Sequence, residues 1–245
     1  MSQEEVSAAL LVIGDEILSG RTKDKNIGFV ADHCTEIGIR LKEVRIVGDN
    51  EAAIVGAIGA LRRTYTYLFT TGGIGPTHDD ITADAVARAF DVSIDVDERA
   101  VALLRERYAE ADLTPVRLRM ARIPQGADLI ENVISKAPGF MIGNVIVMAG
   151  VPAIMEAMLR AVTPRLKTGS KLLSDSICVK APEGQIAALL GACQQAFPEV
   201  AMGSYPFFEN GRGTVLVLRS TEDARLRKAK ADLVERLRQA VIAFE

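Results

Sequence analysis

Asp79 and Asp80 stand side by side, shortly after the run Gly72-Gly73-Ile74-Gly75. Adjacent carboxylates next to a glycine turn offer oxygen ligands to a divalent cation, Mg²⁺ first among them, held close to a phosphate. The glycines let the backbone turn sharply and let a ligand approach its N–H groups. A helix beginning after the loop adds unpaired N–H groups and the positive end of a dipole, which suits phosphate. Carboxylates alone would repel that phosphate, and a cation between the two removes the conflict. Thr71, Thr77 and Thr82 add hydroxyls that can donate to phosphate or cap the helix. Two more acidic sites, Gly14-Asp15-Glu16 and Gly48-Asp49, follow β-type runs. Glu16 or Asp49 is the candidate general base or second carboxylate. Asp15 reads as a turn or cap. Each residue also has a plain structural use. Asp is a good N-cap, so one of the pair Asp79–Asp80 can serve the helix, with Asp80 taken ahead as ligand. Asp49-Asn50 reads equally as a cap or as a ligand-side loop.

These residues need elements to bring them together. Ala8–Ile13 is a continuous apolar run, as in a strand buried on both faces. Asp24 is placed to cap a helix carrying Ile27, Val30, Ala31 and Cys34 at helical spacing, closed by Gly38. Ile39–Val47 reads as a second strand, and Asn50 caps a helix with Ile54, Ala57, Ile58 and Leu61 on one face. Tyr67–Thr71 is the strand entering the glycine loop. Alternation of this kind predicts a mostly parallel sheet with helices on both faces. Ligands bind such sheets at the strand C-terminal ends, where the loops at Gly14, Gly48 and Gly72 all lie. Asp97–Ala111 reads as helix. Arg117, Arg119 and Arg122, interleaved with Leu118, Met120 and Ile123, can meet phosphates but read first as an exposed strand face. Ala137–Met148 reads as two strands around a Gly143-Asn144 turn. Gly150-Val151-Pro152 then opens a helix on an N1 proline, with Gly150 and Pro152 as pocket wall. Asp175–Lys180, Pro182–Phe197, Val200–Phe207, Thr214–Arg219 and Thr221–Phe244 read as β-α-β-β-α, with a polar turn over Glu209–Gly213. The expected fold is a doubly wound α/β three-layer sandwich over residues 1–168, plus a small α+β subdomain over residues 169–245.

Composition narrows the partners. The chain has 245 residues, 49% hydrophobic and 25% charged, with net charge −3. That balance suits a globular domain with a real core, and the absence of a basic run argues against a nucleic-acid partner. No apolar stretch is long enough to span a bilayer. The three cysteines have no metal-ligand spacing, and the first residues are acidic and polar, so reduced thiols in a cytoplasmic protein are expected. With only two histidines, any metal must be held mainly by oxygen.

Several of these motifs, taken in order, resemble a known family. Gly14-Asp15-Glu16-Ile17-Leu18 is similar to the Gly-Asp/Asn-Glu-(Ile/Leu)-Leu element of the molybdopterin-binding (MoaB/Mog) domain family. Asp24-Lys25-Asn26 and Val47-Gly48-Asp49-Asn50 resemble elements of its competence/damage-inducible protein A (CinA) branch. Thr70-Thr71-Gly72-Gly73-Ile74-Gly75-Pro76-Thr77-His78-Asp79-Asp80-Ile81-Thr82 is similar to that branch's glycine-rich core. Gly139-Phe140, Asn144-Val145 and Gly150-Val151-Pro152 resemble later elements, also found in eukaryotic-type FAD synthases, and Ser204-Tyr205-Pro206 resembles an element of the extra subdomain. Asp84 departs from the usual Glu, with a reach one methylene shorter, and Ile74 from the usual Leu or Thr.

The resemblance implies a site for a small phosphorylated nucleotide or pterin, and a homo-oligomer, dimer or trimer. In the CinA and FAD-synthase branches it implies metal-dependent cleavage of ADP-ribose or FAD at the pyrophosphate. The alternative it implies is molybdenum-cofactor biosynthesis, with molybdopterin as ligand. A third reading is a non-catalytic nucleotide-binding module. On the same resemblance, a chain ending at Glu245 is expected to lack two further domains. One is the amidohydrolase domain of full-length CinA proteins with its nicotinamide-mononucleotide deamidase activity; the other is the nucleotidyl-transferring domain of FAD synthases.

Overall fold

The apolar run at Ser7–Ile13 forms strand β1, with every residue after Ser7 buried. A short helix, Asp15–Leu18 (α1), follows where the sequence reads as loop. Then come Asn26–Glu36 (α2), Arg40–Val47 (β2), Glu51–Thr64 (α3), Tyr67–Thr71 (β3) and Thr82–Phe90 (α4). Ile94–Val96 (β4), Glu98–Arg105 (α5), Pro115–Leu118 (α6), Arg122–Pro124 (β5) and Asp128–Ile130 (β6) lead to the hairpin Gly139–Ile142 (β7) and Val145–Met148 (β8). Pro152–Val162 (α7) completes the first of two compact units, Met1–Gly169 and Ser170–Glu245. This computed structural model describes residues 5–208 and 212–245. The expected turn at Glu209–Gly213 therefore lies largely outside the described residues.

The main sheet has the order β2-β1-β3-β8-β7-β6. β2, β1, β3 and β8 are mutually parallel; β7 runs antiparallel to β8, and β6 antiparallel to β7. Side chains alternate across it, as a pleated strand requires. Ala9, Leu11 and Ile13 join Ile54, Ile58 and Leu61 of α3 and Val86 of α4 in one core. Ala8, Leu10 and Val12 join Val30 of α2 and Met155 and Leu159 of α7 in the other. This is the doubly wound three-layer α/β arrangement. Val12 pairs with Thr71, Thr71 with Met148, and Ile13 with Val47. The loops after β1, β2, β3 and β8 therefore leave from one edge of the sheet. Strand order reverses between β1 and β3, where ligands enter such folds.

Local chemistry explains the boundaries. The Asp24 carboxylate accepts the Ile27 N–H at 2.8 Å, and the Asn50 side chain accepts the Ala53 N–H at 3.0 Å. Two expectations are corrected here. The helix expected over Asp97–Ala111 stops at Arg105, and a 3₁₀ turn follows at Glu110–Asp112. The three arginines do not form a strand face: Thr114 accepts the Arg117 N–H and Pro115 opens α6, so Arg117 is helical and Arg119 lies in a 3₁₀ turn. Only Arg122 enters a strand.

In the second unit, Leu173–Val179 (β9), Glu183–Ala196 (α8), Ala201–Phe207 (β10), Gly213–Ser220 (β11) and Asp223–Gln239 (α9) form an antiparallel sheet of order β10-β11-β9 with two helices. Ile186, Cys193, Leu226 and Leu233 from the helices pack on Ile177, Val179, Leu216 and Leu218. The last helix is shorter than expected. After Val241, with φ 56°, the chain turns back and Glu245 exchanges backbone bonds with Cys178. Among the described residues, no helix is long and apolar enough to cross a membrane.

Candidate functional site

The glycine loop is held by its own backbone and by its neighbours. Gly72 has φ 106°, and a Cβ there would lie 2.1 Å from the Ile13 carbonyl oxygen. Gly73 has φ 67°, and its Cβ would lie 2.2 Å from the Thr82 hydroxyl. Only glycine fits these two positions. The Gly72 N–H donates to Met148 O at 3.1 Å, which ties the loop to the end of β8. Thr82 is fully buried; its N–H donates to Gly73 O and its hydroxyl to Gly72 O, both at 2.9 Å. The Thr77 N–H and hydroxyl both donate to Asp80 Oδ2, at 2.8 and 2.6 Å. Arg119 donates to Asp80 O at 3.2 Å. The neighbouring Thr77 side chain is the main influence holding the Asp79 carboxyl below the usual carboxylate range.

A cleft of about 640 Å³ opens at the strand C-terminal ends. Gly72, Gly73 and Gly75 form one wall, and Gly150, Val151 and Pro152 another. Glu16 and Asp80 bring two carboxylates to it from different loops. A smaller pocket beside it takes in Thr71. The structure thus gathers Glu16, Thr71, Gly72, Gly73, Gly75, Asp80, Gly150 and Pro152 around one edge.

Four expected site residues are placed elsewhere. Asp79 and Thr77 are exposed and line neither cavity, and Thr82 spends its hydroxyl inside the loop. Asp49 Oδ2 accepts the Asp15 N–H at 2.9 Å while Asp15 Oδ1 accepts the Asp49 N–H at 3.3 Å. That reciprocal pair pins the loop after β1 to the loop after β2, and Asp49 is outside the lining of both cavities. Asp84 forms an ion pair with Arg122 at 2.7 Å. His33 is held by Thr163 at 2.7 Å, and burial pushes its pKa down.

Tyr108 and Asn132 escape a reading of the sequence, and Arg117 is read there only as one of three arginines that can meet phosphates. Arg117 lies over the Tyr108 ring at 4.6 Å, and both line the cleft. Asn132 is 1% exposed; it accepts the Ile134 and Ser135 N–H groups and donates to Ala137 O, shaping the turn that brings Ser135 and Ala137 to the cleft. The Arg117–Tyr108 pairing was hidden by the strand-like alternation of residues 117–123. An Asn three residues before a Ser is the one signal that could have marked the Asn132 turn.

Comparison with known proteins agrees with this geometry. Residues 9–168 match the family described as "Probable molybdopterin binding domain", and residues 171–245 match "FAD synthase, middle domain". A Thermoplasma acidophilum protein is 36% identical over 159 residues, 63% of this chain and 62% of the relative. A CinA-like protein of Citrifermentans bemidjiense is 34% identical over 206 residues, 81% of this chain but 48% of the relative. The chain thus spans less than two thirds of either relative's length. The crystal structure of the protein CinA, of unknown function, from Thermoplasma acidophilum superposes with TM-score 0.62 at 35% identity. That match covers 66% of this chain and 98% of the other. By its sequence, its fold and the site those place at one sheet edge, this chain belongs to the molybdopterin-binding domain family, in its CinA-like form.

Proposed function

We propose that the cleft binds a phosphorylated nucleotide or pterin and hydrolyses a dinucleotide pyrophosphate of the ADP-ribose or FAD class with a divalent cation, Mg²⁺ first among them. One observation carries this reading: two glycine turns and two carboxylates, Glu16 and Asp80, line a single cleft. The turns at Gly73–Gly75 and Gly150 offer backbone N–H groups to phosphate oxygens; the Gly72 N–H, expected among them, is bonded to Met148 O and shapes the turn instead.

The donor set bears on the cation. Among the described residues, no group of three or more His, Cys, Asp or Glu side chains is placed to hold a metal. Mg²⁺ usually needs only one or two carboxylates when substrate phosphates complete its shell. Asp80 alone fits that pattern and leaves Glu16 free as a base, and the two do not fit a dedicated protein cage. Asp80 would hold the ion through Oδ1, since both Thr77 bonds end on Oδ2. A bound cation supplies charge neutralisation and polarises the phosphorus. Glu16 is exposed at the mouth, where it would take a proton from the attacking water. Arg117, which also lines the cleft, would meet phosphate charge.

The test is incubation with ADP-ribose or FAD and Mg²⁺, Mn²⁺, Co²⁺ or chelator, following AMP by chromatography. Asp80→Ala confounds chemistry with loop collapse, because Asp80 also anchors Thr77. Glu16→Gln is the cleaner probe, expected to slow release about 10²–10⁴-fold. Ligand binding without turnover under every cation would sink the hydrolase and leave a binding module. The family match favours one other reading, molybdopterin binding. Its test is formation of an adenylylated product from molybdopterin and ATP. The proposal includes a cytoplasmic homo-oligomer, dimer or trimer, which light scattering would check.

A further inference from the structure

The smaller pocket, about 60 Å³, shares Glu16, Thr22, Gly150 and Pro152 with the main cleft. Its remaining polar lining includes Asn26, the first residue of α2, and Thr71, the last of β3. Both are almost fully enclosed, at 4% and 1% exposure. Asn26 Nδ2 donates to Gly150 O at 2.9 Å. A carbonyl can only accept, so this bond fixes the amide orientation and leaves Oδ1 as an acceptor. Asn26 Oδ1 is buried without a hydrogen-bond partner, and so is Thr71 Oγ1. Buried polar atoms normally have partners, and leaving them unpaired is costly. Asn26 and Thr71 line one pocket that shares residues with the main cleft, and each carries a buried polar atom without a partner, which marks a place for a ligand group. The volume is several times what one water needs. It suits the edge of a ring rather than a whole ring system.

We infer that Asn26 and Thr71 form a specificity subsite for the amino-bearing edge of the ligand's ring. This rests on the reading that the cleft binds a nucleotide or pterin. The amino group donates to Asn26 Oδ1, and the Thr71 hydroxyl donates to the adjacent ring nitrogen. An oxo group in place of the amine sets two acceptors against each other, and the subsite rejects it. Adenine and pterin both present such an edge. Their oxo counterparts, hypoxanthine and lumazine, do not.

Isothermal titration with AMP, IMP, pterin and lumazine tests this. Wild type binds one amino compound at least about tenfold tighter than its oxo partner, and the pair that shows the preference identifies the ring. Thr71→Val removes a hydroxyl with no partner in the free protein, so it melts at or above the wild-type temperature. It still binds both members of that pair, with the preference reduced to within about threefold. Asn26→Ser serves as the second variant and reduces the same ratio. Equal affinity within both pairs in wild type, or a ratio unchanged in both variants, overturns the subsite while leaving the cleft's function standing. Binding of none of the four compounds overturns both.

Discussion

Thr82→Val isolates the bond that holds the glycine loop shut. The side chain is fully buried, and its hydroxyl donates to Gly72 O at 2.9 Å. Valine keeps the shape and removes the donor, leaving a loop carbonyl without that bond. An unpaired buried polar group costs about 1–3 kcal/mol. For a unit of this size each kcal/mol lowers the melting temperature by about 2–4 °C, so the expected loss is about 2–12 °C. Thr82→Ser keeps the hydroxyl and loses one methyl, worth about 0.8 kcal/mol, so it melts above Thr82→Val. Calorimetry of the three proteins gives the order. Titration with AMP shows whether the loop has moved, since a slackened Gly72–Gly75 wall binds phosphate more weakly. A Thr82→Val protein melting within about 1 °C of wild type, or below-wild-type melting in Thr82→Ser alone, would refute the hydroxyl's role and leave only methyl packing.

Two other measurements test the frame around the cleft. Asp84 and Arg122 form a half-buried ion pair at 2.7 Å; a double-mutant cycle with Asp84→Asn and Arg122→Gln is expected to show coupling of about 0.5–1 kcal/mol that shrinks in high salt. Zero coupling would leave Asp84 as a helix-dipole partner of α4 alone. Cys34 is fully buried, and burial pushes its thiol up to about 12. The folded protein therefore keeps the proton that the unfolded chain gives up from about pH 9, so stability is complete below that pH and falls as pH rises toward 12. Relative to Cys34→Ala, wild type should lose about 1.4 kcal/mol per pH unit within that window, read from denaturant unfolding at pH 8, 9.5 and 10.5; parallel curves would show the thiol titrates alike in both states.

Much of this arrangement is visible in the chain because its signals are local. Ala8–Ile13 announces a strand buried on both faces, Asn50 and Pro152 announce helix starts, and Gly143-Asn144 announces a hairpin. The loops' convergence follows from the parallel topology alone. What the sequence hides is long-range pairing. β4, β5 and β6 are three residues each, too short to show alternation, and β4 pairs with β5 only across α5, α6 and the turns around them. The alternation of Arg117, Arg119 and Arg122 mimics a strand because the Thr114-Pro115 helix start yields only one turn of helix. Asp49 resembles a site residue because it follows a strand end, yet its bond partner is Asp15, 34 residues away. No local pattern reports that.

The polar residues of the glycine stretch divide by what they bond. Thr77, Thr82, Asp15 and Asp49 use their side chains on the loops themselves, and Asp80 uses one oxygen that way. These bonds fix the glycine backbone before any ligand arrives, which is the preorganisation that phosphate binding through N–H groups needs. What remains for a ligand is Glu16, one oxygen of Asp80, Asn26, Thr71 and the glycine amides, drawn from separate strand ends and helix starts. Gly150 is the joint between them. It holds Asn26 through its carbonyl, and a Cβ on it would lie 3.2 Å from Gly72 Cα. The phosphate wall and the ring-edge pocket therefore share one backbone position. A side chain there presses on Gly72, so a substitution at Gly150 is expected to shift the glycine loop proposed to meet phosphate.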